Sequence, residues 1–416
     1  ATLTLLSTLP AAAQQQLPER KPADDVKDAR IREAAGLQPG KNLLFNGWGV
    51  TPAGEHVRIS DLPLKLVVSP DKKMLLAISA GYNDTGLSLL DITARKLTQF
   101  LPLAKIWNGL AFSLDGKRIF VSGGDSGRIQ VFKYADGKAT PAGFVKPSPK
   151  AVTVFLAGIA VHPATGKVYV CNEANDEIWV LNAQTLALET VVGVGEFPHS
   201  CLFGADKRHL YVSNWGSRNV SVVDTLQNRR VRNIPVGLRP NDLALAPDGR
   251  MFVACSGDNT VHVLQTQKVE RPEAEANLKR RMPEAAREII STSLYPGAPE
   301  GSTPDGVAVS PDGKTLFVAN ADNNSVMVVD ISNALSEEAR HNRESVSVVD
   351  GFIPVGWYPS AVCVSPDNQT LWVANGKGLL SHPNYPSQGK TRGKRSRPAA
   401  YDHIASLLEG SVSFIG

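Results

Sequence analysis

One hydrophobic and polar pattern recurs along the chain. Each copy has a turn that ends in proline, an apolar run, a Ser-Pro-Asp-Gly-type turn, a second apolar run ending in Ala-Asn, a polar loop, and a third run ending in Val-Asp. The clearest copy spans Thr303 to Ile331. Other copies are Arg239–Leu264, Phe197–Asp224 and Tyr358–Asn375, and more divergent copies start at Leu62, Ile106 and Phe155. The pattern therefore predicts seven repeats.

The spacing and residue types of the repeat predict one four-stranded sheet per copy. Leu156 to Pro198 and Pro198 to Pro240 are each 42 residues apart, a spacing typical of propeller blades. Asp248-Gly249 and Asp312-Gly313 separate two apolar runs and favour hairpins, because these residues accept a positive φ. The sequence thus predicts an all-β, seven-bladed β-propeller. A WD-repeat propeller is disfavoured, because no Trp-Asp dipeptide occurs.

The ends of the repeat array predict how the ring closes. The last copy offers strands near Ala361–Ser365, Thr370–Ala374 and Gly410–Ile415, and then lacks a fourth strand. The unassigned segment Gly49–Ile59 precedes the first copy and can supply that strand. Pairing the two segments removes the open sheet edges that a ring would otherwise present. We therefore expect an N-terminal strand to complete the last blade.

The N-terminal segment predicts export. Residues 1–13 form a short apolar stretch with an Ala-Ala-Ala cleavage-type site, which is typical of the end of a signal peptide. Residues 14–41 are polar and are interpreted as a linker, and residues 42–416 as the propeller. No segment has the roughly 18 apolar residues of a membrane-spanning helix. The expected location is periplasmic or secreted.

Three insertions interrupt the repeats, at residues 265–301, 332–346 and 376–409. The third carries a basic run, which is either a solvated loop or a docking surface for an acidic partner or adjoining domain. Its candidate docking residues are Lys390, Arg392, Lys394, Arg395 and Arg397. Because the rest of the chain is slightly acidic, nucleic acid is not an expected partner.

The topology of a propeller predicts where a ligand would bind. Loops between second and third strands share one face with the links between blades, so two sets of polar and aromatic residues should meet at a central funnel. This funnel would suit a small polar ligand, although Asn and Asp at such positions also serve turns. The candidate residues are Asn108, Asn172, His199, Asn214, Trp215, Asn241, Asp305, Asn320, Trp357, Tyr358 and Asn375.

The motifs of common enzymes are missing from the sequence. It contains no GxSxG, P-loop or HExxH motif, no histidine spacing typical of a metal site, and no CxxC or CxxCH. We therefore expect no catalytic residues, no metal and no cofactor. His199 and Asp305 could still meet as a base and a carboxylate, although a funnel histidine is more often structural.

Several phrases suggest a family resemblance. The repeat resembles that of YVTN/YncE-like propellers, and the phrases YPGAPEGSTP, GFIPVGWYP, ANGKGLLSHPN and LLEGSVSFIG resemble the N-terminal propeller of bacterial bifunctional proteins. In those proteins an alkaline-phosphatase-family phosphoesterase domain follows the propeller. The resemblance implies an accessory binding or scaffolding propeller, with a phosphoesterase as covalent or separate partner. The alternatives are a lactonase-like hydrolase with its active site in the funnel, and a structural protein of the cell envelope.

Overall fold

The computed structural model describes residues 52–148, 153–266, 288–295, 298, 301–332, 347–379 and 408–416. Within these residues, 28 strands form seven four-stranded antiparallel sheets. No helix among them has the length and apolar character needed to cross a membrane. The proposed signal peptide, the linker and the five candidate docking residues between Lys390 and Arg397 lie outside the described residues.

The strands are numbered in chain order, and each sheet is one blade. The closing strand is β1 (Glu55–Ile59), and blade 1 contains β2 (Pro63–Val68), β3 (Met74–Ser79), β4 (Gly86–Asp91) and β5 (Lys96–Pro102). Blade 2 contains β6 (Leu110–Phe112), β7 (Arg118–Ser122), β8 (Ile129–Ala135) and β9 (Lys138–Val145). Blade 3 contains β10 (Leu156–Val161), β11 (Val168–Asn172), β12 (Glu177–Leu181) and β13 (Leu188–Gly193).

The remaining blades follow the same plan. Blade 4 contains β14 (Pro198–Phe203), β15 (His209–Asn214), β16 (Asn219–Asp224) and β17 (Arg229–Pro235). Blade 5 contains β18 (Pro240–Leu245), β19 (Arg250–Cys255), β20 (Thr260–Gln265) and β21 (Glu288–Ser291). Blade 6 contains β22 (Pro304–Val309), β23 (Thr315–Asn320), β24 (Ser325–Asp330) and β25 (Val348–Pro354). Blade 7 contains β26 (Trp357–Val364), β27 (Leu371–Gly378), β28 (Gly410–Ile415) and β1.

The first strands of the blades contact one another in a closed ring around the axis. The ring runs β2, β6, β10, β14, β18, β22, β26 and back to β2. Apolar clusters fill each of the seven interfaces between neighbouring blades in the described residues. The core is therefore divided among the interfaces rather than collected in one centre.

Consecutive apolar residues in the central strands follow from this arrangement. Side chains of a strand point alternately to the two faces of its sheet. In β3, Leu76 and Ile78 pack with Ile119 of blade 2, whereas Leu75 packs with Trp372 of blade 7. Because a neighbouring blade covers each face, the whole of β3 is buried.

The ring closes through the first and last strands, as the sequence predicts. Strand β1 pairs antiparallel with β28, with Glu55 opposite Phe414 and Ile59 opposite Gly410. Blade 7 therefore has the strand order β26, β27, β28, β1. The predicted all-β, seven-bladed propeller with an N-terminal closing strand is confirmed.

Two insertion boundaries differ from the prediction. Strand β21 lies inside the segment interpreted as an insertion at residues 265–301 and is the outermost strand of blade 5. Strand β27 continues to Gly378, beyond the predicted start of the third insertion at residue 376. Both segments pair with the preceding strand of the same blade, β21 with β20 and the end of β27 with β26, and this pairing satisfies their backbone hydrogen-bonding groups.

Candidate functional site

A cavity of about 450 Å³ lies where the inner strands converge, and all seven blades contribute to its wall. Its volume falls in the range of small-molecule sites. The lining residues are Leu64, Lys65, Trp107, Asn108, Glu173, Phe197, His199, Ser200, Trp215, Arg239, Asn241, Asp242, Ser256, Thr303, Asp305, Tyr358 and Ser360.

The proline links between blades direct side chains into this cavity. In five links, the residue before proline has a φ of 50° to 57°, a left-handed conformation that is rare for residues other than glycine. The pairing register of the following strand shifts immediately after each proline. The residue after proline then lines the cavity in all five links, as Leu64, His199, Asn241, Asp305 and Ser360.

An ion pair spans the cavity between two blades on opposite sides of the ring. Lys65 Nζ on β2 lies 2.8 Å from Asp242 Oδ1 on β18, and 32% of the lysine side chain is accessible. Burial acts to lower the pKa of Lys65, but the charge and hydrogen bond of Asp242 outweigh it and leave that pKa above its ordinary value. The lysine therefore remains charged, and its charge is matched within the protein.

Asp305 is a carboxyl group without such a counter-charge. The Asn241 side-chain amide donates to Asp305 Oδ1 and, at 3.1 Å, to its backbone carbonyl. Burial raises the pKa of Asp305 to about 7; the charges of Asp242 and Asp322 act in the same direction, whereas His199 and the Asn241 amide oppose them. At neutral pH this group can therefore both donate and accept a proton.

The imidazole of His199 is held between two other blades. The Asn108 amide nitrogen lies 2.8 Å from His199 Nε2, and Glu173 Oε1 lies 2.8 Å from His199 Nδ1. Nδ1 of the ring thus faces the carboxylate as a donor, and Nε2 faces the amide of Asn108. Glu173 belongs to a short 3-10 turn, Glu173–Asn175, that follows β11. The ring orientation is therefore fixed from both sides.

Aromatic side chains form much of the remaining wall. Phe197 and Trp215 pack edge to face with centroids 6.5 Å apart, and they are 51% and 38% exposed. The Arg239 guanidinium lies 4.9 Å from the centroid of Trp215. Tyr358 lines another part of the wall, and Lys377 Nζ lies 4.4 Å from its ring centroid. Burial, and then the charges of Asp305 and Asp322, raise the pKa of Tyr358 to about 12, so the phenol stays neutral.

Two polar atoms of lining residues have no hydrogen-bond partner among the described residues. They are Trp107 Nε1, a donor, and Asn108 Oδ1, an acceptor. Buried polar atoms are normally paired, and these two atoms are exceptions that have almost no accessible surface themselves. Among all the residues that the structure describes, no group of three or more His, Cys, Asp or Glu side chains is placed to hold a metal ion.

The structure brings together six of the eleven funnel residues predicted from the sequence. Asn108, His199, Trp215, Asn241, Asp305 and Tyr358 line the cavity. Asn172, Asn214, Asn320, Trp357 and Asn375 do not. Trp357 begins β26 opposite Gly378; three of the asparagines end the second strands of their blades, and Asn375 lies within the second strand, β27.

These four asparagines are fully buried, and they make hydrogen bonds to links between blades and to third strands. Asn172 accepts a hydrogen bond from the Phe155 backbone at 3.0 Å. Asn214 accepts one from the Gly195 backbone at 3.2 Å and donates to Ser221 Oγ at 2.9 Å. Asn320 donates to the Thr292 carbonyl at 3.1 Å, and Asn375 donates to Ser413 Oγ at 2.9 Å. Their recurrence follows from the needs of the repeat.

Sequence reasoning missed the ion pair and part of the wall. Lys65 and Asp242 each lie two residues after the proline of a link, inside the first strand of a blade. The alternation of side chains along a strand does not by itself show which of them point to the axis and which point to a neighbouring blade. The useful signal is the charge at this position. The second residue after the proline is charged in these two links, whereas it is serine, glycine or alanine in the other three. Glu173 was missed because the repeat pattern points to Asn172, the residue directly before it, as the candidate in this loop.

Comparisons with known proteins agree with this fold. Residues 44–215 match the family model described as SMP-30/gluconolactonase/LRE-like region. Residues 237–264 match the model for a WD domain, G-beta repeat, although this segment has no Trp-Asp dipeptide. Each match covers less than half of the chain.

Two curated proteins are similar to parts of the chain. The hydrazine synthase subunit beta of Kuenenia stuttgartiensis is 30% identical over 178 residues, which are 38% of this chain and 45% of that protein. Antigen Lp49 of Leptospira interrogans is 28% identical over 121 residues, which are 28% of this chain and 24% of that protein. The chain therefore matches less than half the length of either relative.

Solved structures show the same fold at low identity. A Kuenenia stuttgartiensis hydrazine synthase chain superposes with a TM-score of 0.58 at 20% identity, covering 77% of this chain and 95% of that chain. A streptogramin B lyase superposes with a TM-score of 0.58 at 13% identity, covering 86% and 97%. The solved structures show the fold alone, whereas the similarity to a gluconolactonase-like region comes from the family model matched by residues 44–215. They give no support to a YncE-type assignment or to a phosphoesterase partner.

Proposed function

We propose that this chain is a binding propeller whose axial cavity takes a small polar ligand. The observation that carries the proposal is the composition of the cavity wall, to which every blade contributes and in which Lys65, Asp242, Asp305 and His199 converge. Three of these groups are matched by protein partners, because Lys65 pairs with Asp242 and His199 contacts Glu173, whereas the Asp305 carboxyl group has no ion-pair partner among the described residues. A wall with few placed polar groups among aromatic rings is typical of a small-molecule site.

The test compares two double variants against a panel of polyols, sugar acids and organic ammonium compounds, using ligand-observed NMR and calorimetry. In Lys65→Met/Asp242→Leu, both partners of the axial ion pair are replaced by apolar residues, so no lone charge is left buried. The control, Lys105→Met/Asp125→Leu, removes an exposed pair whose atoms lie 2.9 Å apart and that does not line the cavity.

We expect at least one compound to bind the wild type, and its affinity to fall by at least about tenfold in the axial variant only. The proposal fails if no compound binds, or if both double variants bind the same compounds as the wild type does. Circular dichroism on each variant separates loss of binding from loss of the fold.

A second candidate function, a lactone hydrolase, is favoured by the pKa of Asp305 near 7. In this reaction water adds to the lactone carbonyl while Asp305 accepts the water proton. The ring C–O bond then breaks, and the proton passes to the ring oxygen, giving a hydroxy acid. The match of residues 44–215 to the gluconolactonase-like model agrees with this candidate.

The hydrolase candidate predicts activity on aldonolactones that rises with pH through about 7, as Asp305 ionises. Asp305→Asn should then lower the enzymatic rate by about a hundredfold or more, since general-base contributions reach that size. A pH-stat assay compares the rate of lactone hydrolysis with each protein to the spontaneous rate. Turnover equal in wild type and variant would exclude Asp305 as the base.

Export is also part of the proposal, and it is supported by the signal-like pattern of residues 1–13. The role proposed for the chain itself is the binding of a ligand. An adjoining or separate phosphoesterase remains a prediction of the sequence resemblance alone.

A further inference from the structure

The charges around the cavity are unbalanced in one direction. Three carboxyl groups, those of Glu173, Asp242 and Asp305, line it against two permanently cationic side chains, Lys65 and Arg239. Lys65 is paired with Asp242, and Arg239 lies over Trp215 at the edge of the aromatic wall. Asp305 has no ion-pair partner among the described residues, and Asp322 lies near enough for its charge to act on it.

The aromatic rings supply the second observation. Trp107, Trp215 and Tyr358 line the same cavity, and two of these rings already face a cation of the protein, Arg239 at 4.9 Å and Lys377 at 4.4 Å. The faces of such rings attract cations, and rings combined with a carboxylate are the usual means of recognising organic ammonium ions. A metal ion would instead need several converging oxygen or nitrogen ligands, and the described residues offer no such group.

We propose that the cavity binds an organic ammonium ion, with its positive charge against the Asp305 carboxyl group and its alkyl groups among the aromatic rings. This inference rests on the proposed function, since it names the chemical class of the small polar ligand.

The environment of Asp305 makes this binding depend on pH. The titratable groups whose charges act on Asp305 are His199 on β14, Asp242 on β18 and Asp322 in the turn after β23; Asp305 acts in turn on Tyr358 on β26. A bound cation favours the ionised carboxylate, so it releases a proton wherever Asp305 is protonated in the free protein. With a pKa of about 7, lowering the pH from 8 to 6 should weaken binding about tenfold.

The experiment uses choline, whose charge does not titrate, and its neutral carbon isostere dimethylbutanol. Calorimetry on the full chain at pH 8 compares the wild type with Asp305→Asn and with the control Asp312→Asn. Asp312 lies in the same blade, in the turn at the far end of β22, so its replacement leaves the cavity intact. Repeating the wild-type titration at pH 6 in two buffers with different ionisation enthalpies counts the released protons.

We expect choline to bind at least about tenfold more tightly than the isostere. Asp305→Asn should reduce choline binding to the level of the isostere and remove the pH dependence, whereas Asp312→Asn should change neither. If pH dependence persisted in Asp305→Asn, the titrating group would be another one, such as His199, and the role given to Asp305 would be wrong.

The outcomes distinguish this inference from the proposed function. If choline fails to bind but a neutral polyol or a sugar acid binds and is lost in Lys65→Met/Asp242→Leu, the ammonium proposal is overturned and the binding function stands. Binding of Ca²⁺ or K⁺ that Asp305→Asn abolishes, without choline binding, would also overturn it in favour of a metal ion. If no compound of either kind binds, both proposals fail.

Discussion

At the residue scale, four amide side chains are as deeply buried as the apolar residues around them. Asn172, Asn214, Asn320 and Asn375 have no accessible surface. An unpaired buried polar group is costly. Each of these amides makes at least one hydrogen bond within the protein, although Oδ1 of Asn320 and Oδ1 of Asn375 have no partner among the described residues. Asn172, Asn214 and Asn320 hold the backbone of links between blades, and Asn375 holds side chains of β28.

Asn214→Ala tests this structural role. We expect it to lower the free energy of unfolding by about 1–3 kcal/mol, because the Gly195 N–H and Ser221 Oγ lose their partner. Urea unfolding at neutral pH measures the change. The control Asn175→Ala removes an exposed amide with one bond, to the Thr153 carbonyl, and should cost less than about 1 kcal/mol. Equal effects in the two variants would contradict the assignment.

The residues of the site were predictable where turn chemistry determines side-chain direction. His199, Asn241 and Asp305 follow a proline, and this position lines the cavity in every proline link. Lys65 and Asp242 were not predictable, because the register shift that brings them to the axis depends on pairing with the second strand. The buried asparagines were misplaced for a related reason, since a shared loop position does not reveal whether the amide points to the axis or into the blade.

At the scale of strands, the β1–β28 pair closes the ring at a very close backbone approach. A Cβ added to Gly410 would collide with the Ser60 backbone carbonyl. The added Cβ and the Ser60 carbonyl oxygen cannot move aside as a flexible side chain could, so this collision can be removed only if the two strands separate. Glycine is therefore required at the first position of β28 for steric reasons.

Gly410→Ala should weaken closure and lower the midpoint of thermal unfolding; each lost kcal/mol corresponds to at most roughly 2–4 °C, the shift typical of a domain of 150–250 residues, because the shift becomes smaller as a domain grows. Hydrogen exchange followed by mass spectrometry should show faster exchange in β1 and β28 than in blades 3 and 4. The matched control is Gly193→Ala in β13, where an added Cβ meets no atom within 4 Å. If both variants behave like the wild type, the close approach at Gly410 is wrong.

The strand scale also shows why one blade was harder to predict than the others. The closing strand could be inferred because the last repeat offered three strands and a blade needs four. Strand β21, in contrast, is four residues long and follows a charged segment, so no repeat signal marks it. Its place is determined by pairing with β20, with Thr260 opposite Ser291.

At the scale of the whole molecule, the ring followed directly from counting repeats, because each apolar run must be covered on both faces by a neighbouring blade. The chemical nature of the ligand could not be predicted by counting repeats, because it depends on which charges meet across the axis. Lys65 and Asp242 are separated by 177 residues and belong to blades on opposite sides of the ring. No local pattern links two such positions.

The antiparallel closing pair also determines how the ring responds to tension applied through its own backbone. The chain enters β1 at Glu55, opposite Phe414, and leaves β28 just beyond it, at Ile415. Force drawing these two points apart therefore acts at one end of the pair and peels it residue by residue toward Ile59 and Gly410, like a zipper. Loading in shear would instead stretch all its hydrogen bonds together. The closure is thus mechanically weak in this direction, although β28 is mostly buried and the pair is continuous with the sheet.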